Sequence, residues 1–201
     1  MIKRSSKNYI DNLLNNNTNW KILDIGCGYT AHDRATVICD VQDLESFYKN
    51  KNFIKLNNEN LPFKDKLFDV ICCAGSLSYG SHLKVRDEIY RVLKNDGIFI
   101  CVDSLDNNII YRLNRYFNYL MGRRSRSVTK RAPSLNLLKL YEEKFNCEKI
   151  DFFGAITWLK PILSPIIGIN SFSKFSDWFD KYFNIKKSAF KFVIVLTKSK
   201  K

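Results

Sequence analysis

Residues 23–30, Leu-Asp-Ile-Gly-Cys-Gly-Tyr-Thr, decide how the rest of the chain is read. The run Lys21–Ile25 has the apolar character of a short buried strand, and it ends on Gly26-Cys27-Gly28. Glycines at such a point permit a tight turn and let the backbone come close to a ligand. With Ala31 the stretch also reads G-x-G-x-x-A, a string that by itself suits a dinucleotide. Two features oppose that reading. Asp24 places a carboxylate at the mouth of the turn, where a pyrophosphate would be repelled and an ammonium or sulfonium attracted. From Tyr29 to Arg34 there is room for only about one helical turn, not for the helix whose N-terminus would carry phosphates. The next strand, Thr36–Asp40, ends in an acid sixteen residues after Asp24. A carboxylate there can accept hydrogen bonds from both hydroxyls of an adenosine ribose. Its alternative is to serve a helix start at Val41-Gln42-Asp43.

Outward from this turn, short apolar runs alternate with amphipathic segments, as in βαβ units. Strands are expected at Phe53–Leu56, Phe68–Cys73, Ile98–Asp103, Ile150–Phe153 and Phe190–Thr197. The last is apolar on both faces and should be central or well covered. Helices are expected at Ser5–Leu14, at Asp43–Tyr48 and at Leu83–Leu93, where Val85, Ile89, Val92 and Leu93 share a face. The last of these stops at Lys94-Asn95-Asp96-Gly97, whose glycine can take a positive φ. Another helix, Ser134–Phe145, opens on Ser134 as N-cap. The expected fold class is a single α/β domain over residues 1–201, with a basic and apolar acceptor-side insertion at about 105–185. Its sheet is doubly wound, seven-stranded and mostly parallel, with an antiparallel last strand.

The composition bounds the function. The 201 residues, 45% hydrophobic, suit one domain with one core. There is no long uncharged apolar run and no signal-peptide pattern, so a cytoplasmic protein is expected. The six cysteines include no CxxC pair, and several sit in apolar runs. They read as reduced core thiols, with no metal site. Cys72 and Cys73 would point to opposite faces of a strand and should not bridge. A net charge of +13 favours anionic partners.

The chain resembles the class I S-adenosylmethionine-dependent methyltransferases, of the methyltransferase-11-like kind. LDIGCG resembles their first motif. Residues 60–71, NLPFKDKLFDVI, resemble the LPF-x-D-x-x-FDV segment. Residues 91–97, RVLKNDG, resemble RVLKPGG with Asn95-Asp96 in place of Pro-Gly. A narrower likeness lies in Ala74–Gly80, Cys101–Leu105 and Ile110–Arg115, which look similar to methyltransferases encoded beside polysaccharide-assembly enzymes.

The resemblance implies a Rossmann-like methyltransferase fold and S-adenosyl-L-methionine as cofactor. Gly26, Cys27 and Gly28 would line its methionine part, and Asp24 would hold its ammonium. Asp40 would bind the ribose, with Val41 packing on adenine. Asn57 stands where the family usually has an aspartate, and Asn58 and Glu59 would flank the adenine. Cys73 and Ala74 would offer backbone carbonyls near the methionine end. Thr30 replaces a glycine common in the family. The activity implied is O-methylation of a small-molecule or glycan-linked acceptor, a sugar hydroxyl in surface polysaccharide biosynthesis.

A hydroxyl acceptor benefits from a general base. Candidates beyond the carboxyl ends of the fourth and fifth strands are Tyr79, His82, Asp103 and Asp106. The bland alternatives are aromatic packing for Tyr79, a helix start for His82, and a turn carboxylate shared with Ser104 for Asp103. Residues 107–141 hold eight basic side chains and no acidic one. They suit an arginine clamp on an anionic or phosphorylated substrate, or a solvated face. Ala155–Asn170 is apolar but broken by Lys160, Pro161 and Pro165. It reads as a lid or as a peripheral membrane contact. Phe175, Trp178, Phe179 and Tyr182 follow at helical spacing that suits core packing. Nucleic acid is disfavoured, because the fourth strand runs into Cys-Cys-Ala-Gly-Ser rather than the Pro-Pro-Tyr/Phe motif of base-amine methylation. A nucleic-acid methyltransferase and a non-catalytic binding module stay as alternatives.

Overall fold

The computed structural model describes residues 10, 12, 14, 19–183 and 185–199. Seven strands form one sheet: β1 Ile22–Ile25, β2 Val37–Asp40, β3 Phe53–Lys55, β4 Phe68–Ala74, β5 Leu93–Ser104, β6 Asn146–Phe153 and β7 Lys191–Thr197. Their order is β3-β2-β1-β4-β5-β7-β6. The first five are mutually parallel, and β7 runs antiparallel between β5 and β6. The expected fold class is thus the observed one, with the last strand inserted antiparallel inside the sheet.

Period-two alternation divides the strands between two cores. Leu23, Ile25, Ile71, Cys73, Phe99, Cys101, Ile194 and Leu196 share one cluster. It is covered by helix α1 (His82–Val92), through Val85, Ile89 and Val92, and by helix α4 (Leu135–Glu142), through Leu137, Leu138 and Tyr141. Ser134 caps α4 as expected, accepting from the amide of Leu137. Ile22, Val70, Cys72, Ile100, Val102, Val193 and Val195 face the other way, against Ile10 and Leu14. The helix expected at Ser5–Leu14 lies mostly outside the described residues; Ile10, Asn12 and Leu14 are helical.

Two local expectations are corrected, and the cramped stretch after β1 falls short even of one helical turn. No helix forms between β1 and β2; Tyr29–Arg34 is turn and coil. One turn's worth of chain gains too few hydrogen bonds to offset helix nucleation. Asp43–Tyr48 is likewise not a helix, only a turn in which the amides of Phe47 and Tyr48 both donate to the Leu44 carbonyl. After α1, the left-handed residue is Asp96 (φ 60°), not Gly97. Gly97 is needed for closeness: a Cβ there would sit 2.9 Å from both Leu93 Cδ2 and the Lys94 carbonyl oxygen.

The two most specific sequence segments interlock. The Arg91 guanidinium donates to the carbonyls of Leu61 (2.8 Å) and Phe63 (2.7 Å) and pairs with Asp65 and Glu88. Glu88 in turn accepts from the Leu61 amide at 2.7 Å. The LPF and RVLK stretches are one structural clamp that sets the entry to β4. The remaining helices, α2 (Ile109–Leu120), α3 (Arg126–Lys130), α5 (Lys160–Ile167) and α6 (Ile169–Tyr182), belong to the segment after β5.

Candidate active site

The chain leaves β1 toward β2 and β3, then crosses back to β4. The loops after β1 and β4 therefore diverge at a topological switch point, where open α/β sheets bind ligands. Here the two loops touch. Gly26 has φ +63°, and a Cβ on it would lie 2.3 Å from Ser76 Cβ. Ser76 fills that contact, with its hydroxyl donating to the Ile25 carbonyl at 3.0 Å. Gly28 is also left-handed (φ +50°), but a Cβ there would meet nothing within 4 Å.

Two cavities open at this point. The first, about 430 Å³, is lined by Gly26, Cys27 and Gly28, by Asp40, Val41 and Gln42, by Leu56, Asn57 and Asn58, and by the β4 loop through Tyr79. The buried Asp40 carboxylate accepts from the amides of Gly28 and Gln42, both at 2.9 Å. Each of its oxygens keeps a lone pair that can face the cavity. Val41 beside it is exposed, an apolar side chain presented to the same space. Asn57 Oδ1 is engaged by the Glu59 amide at 3.0 Å. Glu59 is turned away: it accepts from the Ser81 amide at 2.7 Å, at the start of α1, and pairs with Lys84. Burial pushes the Cys27 thiol up to about 12, so it stays protonated as a small apolar wall.

The second cavity, about 530 Å³, is lined by Asp24, His32, Ser78, Asp103, Ser104, Arg124 and Lys191, with Thr30, Ala74 and Gly75 shared with the first. It lies on the sheet face bearing Cys72 and Val102, and Ile10, which packs on that face, also lines it. Burial pushes Asp24 up to about 7, against the hydrogen bond it accepts from the His32 amide (2.7 Å) and the attraction of Lys51. A carboxylate so placed gains most from a cation delivered into the cavity.

Of the four candidate bases, only Asp103 reaches this cavity. It is buried, accepts from the amides of Leu77 (3.1 Å) and Ser104 (2.6 Å), and is raised above the usual carboxylate range by burial. Tyr79 lines the first cavity instead. His82 begins α1 and is among the lining residues of neither; burial lowers its pKa. Asp106 pairs with Arg115 and Arg112. Cys73 is buried against the Ser76 hydroxyl at 3.0 Å, and Ala74 lines both cavities.

Sequence reasoning missed His32, Ser78 and Lys191 as site residues, and took Arg124 only as one of a basic run. One signal was available: His32 is one of two histidines and lies in the short loop after Asp24.

Residues 23–101 match the family model described as a methyltransferase domain. The chain carries the class I methyltransferase fold. An uncharacterized protein of Methanocaldococcus jannaschii is 34% identical over 114 residues, covering 51% of each chain. The chain thus spans about half the length of that curated relative. Among solved structures, a sarcosine dimethylglycine methyltransferase from Galdieria sulphuraria, so described provisionally, superposes with TM-score 0.64 at 16% identity, over 98% of this chain and 86% of its own. A SAM-dependent methyltransferase from Archaeoglobus fulgidus superposes at 0.63 with 17% identity, over 97% and 94%.

Several groups lining these cavities suit parts of S-adenosylmethionine, although Glu59 is engaged elsewhere. The positive-φ glycines give a bare backbone floor, Asp40 and Val41 suit ribose and adenine, and the buried Asp24 suits an ammonium. Among the described residues no cluster of His, Cys, Asp or Glu could hold a metal ion.

Proposed function

We propose that this chain is an S-adenosylmethionine-dependent methyltransferase that methylates a hydroxyl of an anionic, sugar-containing acceptor. The observation that carries the reading is that two cavities share Thr30, Ala74 and Gly75 at the switch point. One has the groups that suit an adenosine, the other has acidic, hydroxyl and basic groups that suit a polar acceptor. When bound, the cofactor supplies a methyl group on a sulfonium, open to in-line displacement.

The residues present do the rest. Asp40 and Val41 anchor the adenosyl end in the first cavity. Asp24 holds the ammonium and is thereby kept ionised. Arg124 and Lys191 supply positive charge to a phosphate or carboxylate of the acceptor. Asp103, fixed by two backbone amides, takes the proton that the acceptor hydroxyl loses as its oxygen bonds to the methyl carbon. Positioning and exclusion of water carry most of the rate. The acceptor class, a nucleotide-linked or lipid-linked sugar as in surface polysaccharide assembly, is supported by that mixed lining and by the narrower sequence likeness.

The test is calorimetry with S-adenosylhomocysteine, then a screen for cofactor turnover against nucleotide sugars and lipid-linked glycans. Binding should be tight in the wild type and at least about a hundred-fold weaker in Asp40→Ala, which removes charged hydrogen-bond acceptors. If neither S-adenosylmethionine nor S-adenosylhomocysteine binds, the reading fails. If the cofactor binds but no sugar is methylated, only the acceptor class is lost.

A further inference from the structure

Helix α2 turns its apolar stripe outward. Ile109, Leu113, Phe117 and Leu120 are 64%, 51%, 60% and 59% exposed, with Tyr116 and Met121 beside them. Its inward face buries Tyr111 and Arg115, the latter bonded to Asp106 and to the Leu105 carbonyl. The aromatic spacing of α6, which suits core packing, is likewise not used that way. Phe172 and Ser176 face inward, while Phe175, Trp178 and Tyr182 are exposed. Helices α5 and α6 form a hairpin about Gly168 (φ +82°), and Ile162, Ile166, Ile167 and Ile169 are exposed along α5 and at that corner.

These surfaces lie at one end of the molecule. Helix α2 follows β5, and the hairpin follows β6, which runs parallel to β5 because both are antiparallel to β7. Their bases are tied together: the Tyr111 hydroxyl donates to the Gly154 carbonyl at 3.2 Å, and Asp180 accepts from the amides of Gly154 and Ala155. This is the carboxyl end of the parallel strands, where the cavities open, and Arg124 follows α2 into the second of them.

Charge selects the occupant. Residues 107–141 contain no acidic side chain, and residues 152–187 hold five lysines against two acids, Asp177 and Asp180, the latter engaged by the Gly154 and Ala155 amides. Exposed Arg123, Arg126, Lys130, Lys160, Lys174, Lys181, Lys186 and Lys187 lie on the same segments as the apolar side chains. A second copy would set +13 against +13 and be repelled. Large apolar side chains interleaved with cations suit an anionic lipid surface, where the former enter the headgroup–acyl boundary and the latter meet phosphate. No helix among the described residues is long and apolar enough to cross a membrane, so the helices would lie along the surface.

We propose that this end docks on an anionic lipid bilayer through the outer stripe of α2 and the α5–α6 corner, placing the second cavity beside the membrane. The proposal does not rest on the methyltransferase reading.

The test is co-sedimentation of the full chain with phosphatidylcholine vesicles with and without phosphatidylglycerol. Binding should require phosphatidylglycerol and fall at least about ten-fold on raising salt from low to high. The variant Phe117→Asp/Ile166→Asp should lose at least about ten-fold in partitioning, since each position gives up a buried apolar side chain. Neither residue lines a cavity, so S-adenosylhomocysteine affinity and the melting transition should not change. Absence of binding to anionic vesicles at low salt would overturn the proposal. So would equal binding by the variant, or self-association without vesicles that the variant abolishes.

Discussion

Replacing Gly26 by alanine tests whether the contact between the two switch-point loops holds the site together. At φ +63° an alanine is strained by about 1–2 kcal/mol. Its Cβ would also lie 2.3 Å from Ser76 Cβ and 2.4 Å from Ser76 Oγ, far inside ordinary carbon contact distance. Ser76 must move, giving up its 3.0 Å hydrogen bond to Ile25. Repacking costs about 1–3 kcal/mol, and the lost bond about 1 kcal/mol. The expected destabilisation is thus about 3–6 kcal/mol. Gly28 is the control. Its φ of +50° carries the same strain, but an added Cβ meets nothing, so Gly28→Ala should cost only about 1–2 kcal/mol. Urea unfolding without cofactor measures both. A Ser76→Gly change removes the clashing atoms, so the double variant Gly26→Ala/Ser76→Gly should be no less stable than Gly26→Ala alone, a favourable coupling of roughly 1–2 kcal/mol. Equal losses at Gly26 and Gly28, or simple addition of the Ser76 and Gly26 effects, would refute the reasoning.

Four further outcomes are expected. Asp24, with its pKa raised to about 7, is largely protonated below that pH, and a bound ammonium favours its ionised form. Calorimetry should therefore show S-adenosylhomocysteine affinity rising with pH up to about 7 and levelling above it, and Asp24→Asn should flatten the profile. The same shift means that the folded chain holds a proton the unfolded chain has released, so between about 4 and 7 this group's contribution to stability is lost as pH rises. Arg91→Met should destabilise by about 2–3 kcal/mol in urea, because it orphans the Leu61 and Phe63 carbonyls and Glu88. Cofactor affinity should stay near wild type, since Arg91 is not among the cavity residues; a hundred-fold loss would mean that the clamp shapes the site directly. Once an acceptor is in hand, Asp103→Asn should lower kcat by about 10²–10⁴ while leaving S-adenosylhomocysteine binding intact. Unchanged turnover would remove Asp103 as the base.

The sequence by itself determined the sheet and the grouping of residues around the glycine turn. Period-two strands, the glycine turn and the acid ending β2 are local patterns, and Asp24, Gly26, Gly28, Asp40, Val41, Asn57 and Asn58 lie near one another because they sit at or just beyond adjacent strand ends. Tertiary structure decided what depends on contacts between distant segments. The RVLK arginine became a clamp because α1 brings it to the LPF loop. Asp96 rather than Gly97 took the left-handed conformation because Gly97 was needed against Leu93 and Lys94. His32, Arg124 and Lys191 line one cavity with Asp24 and Asp103 because the fold brings together the loop after β1, the segment after α2 and the start of β7. The outward stripe of α2 has the same origin. Periodicity shows that a helix has an apolar face, but the buried Arg115–Asp106 pair on its other side decides which face meets the protein.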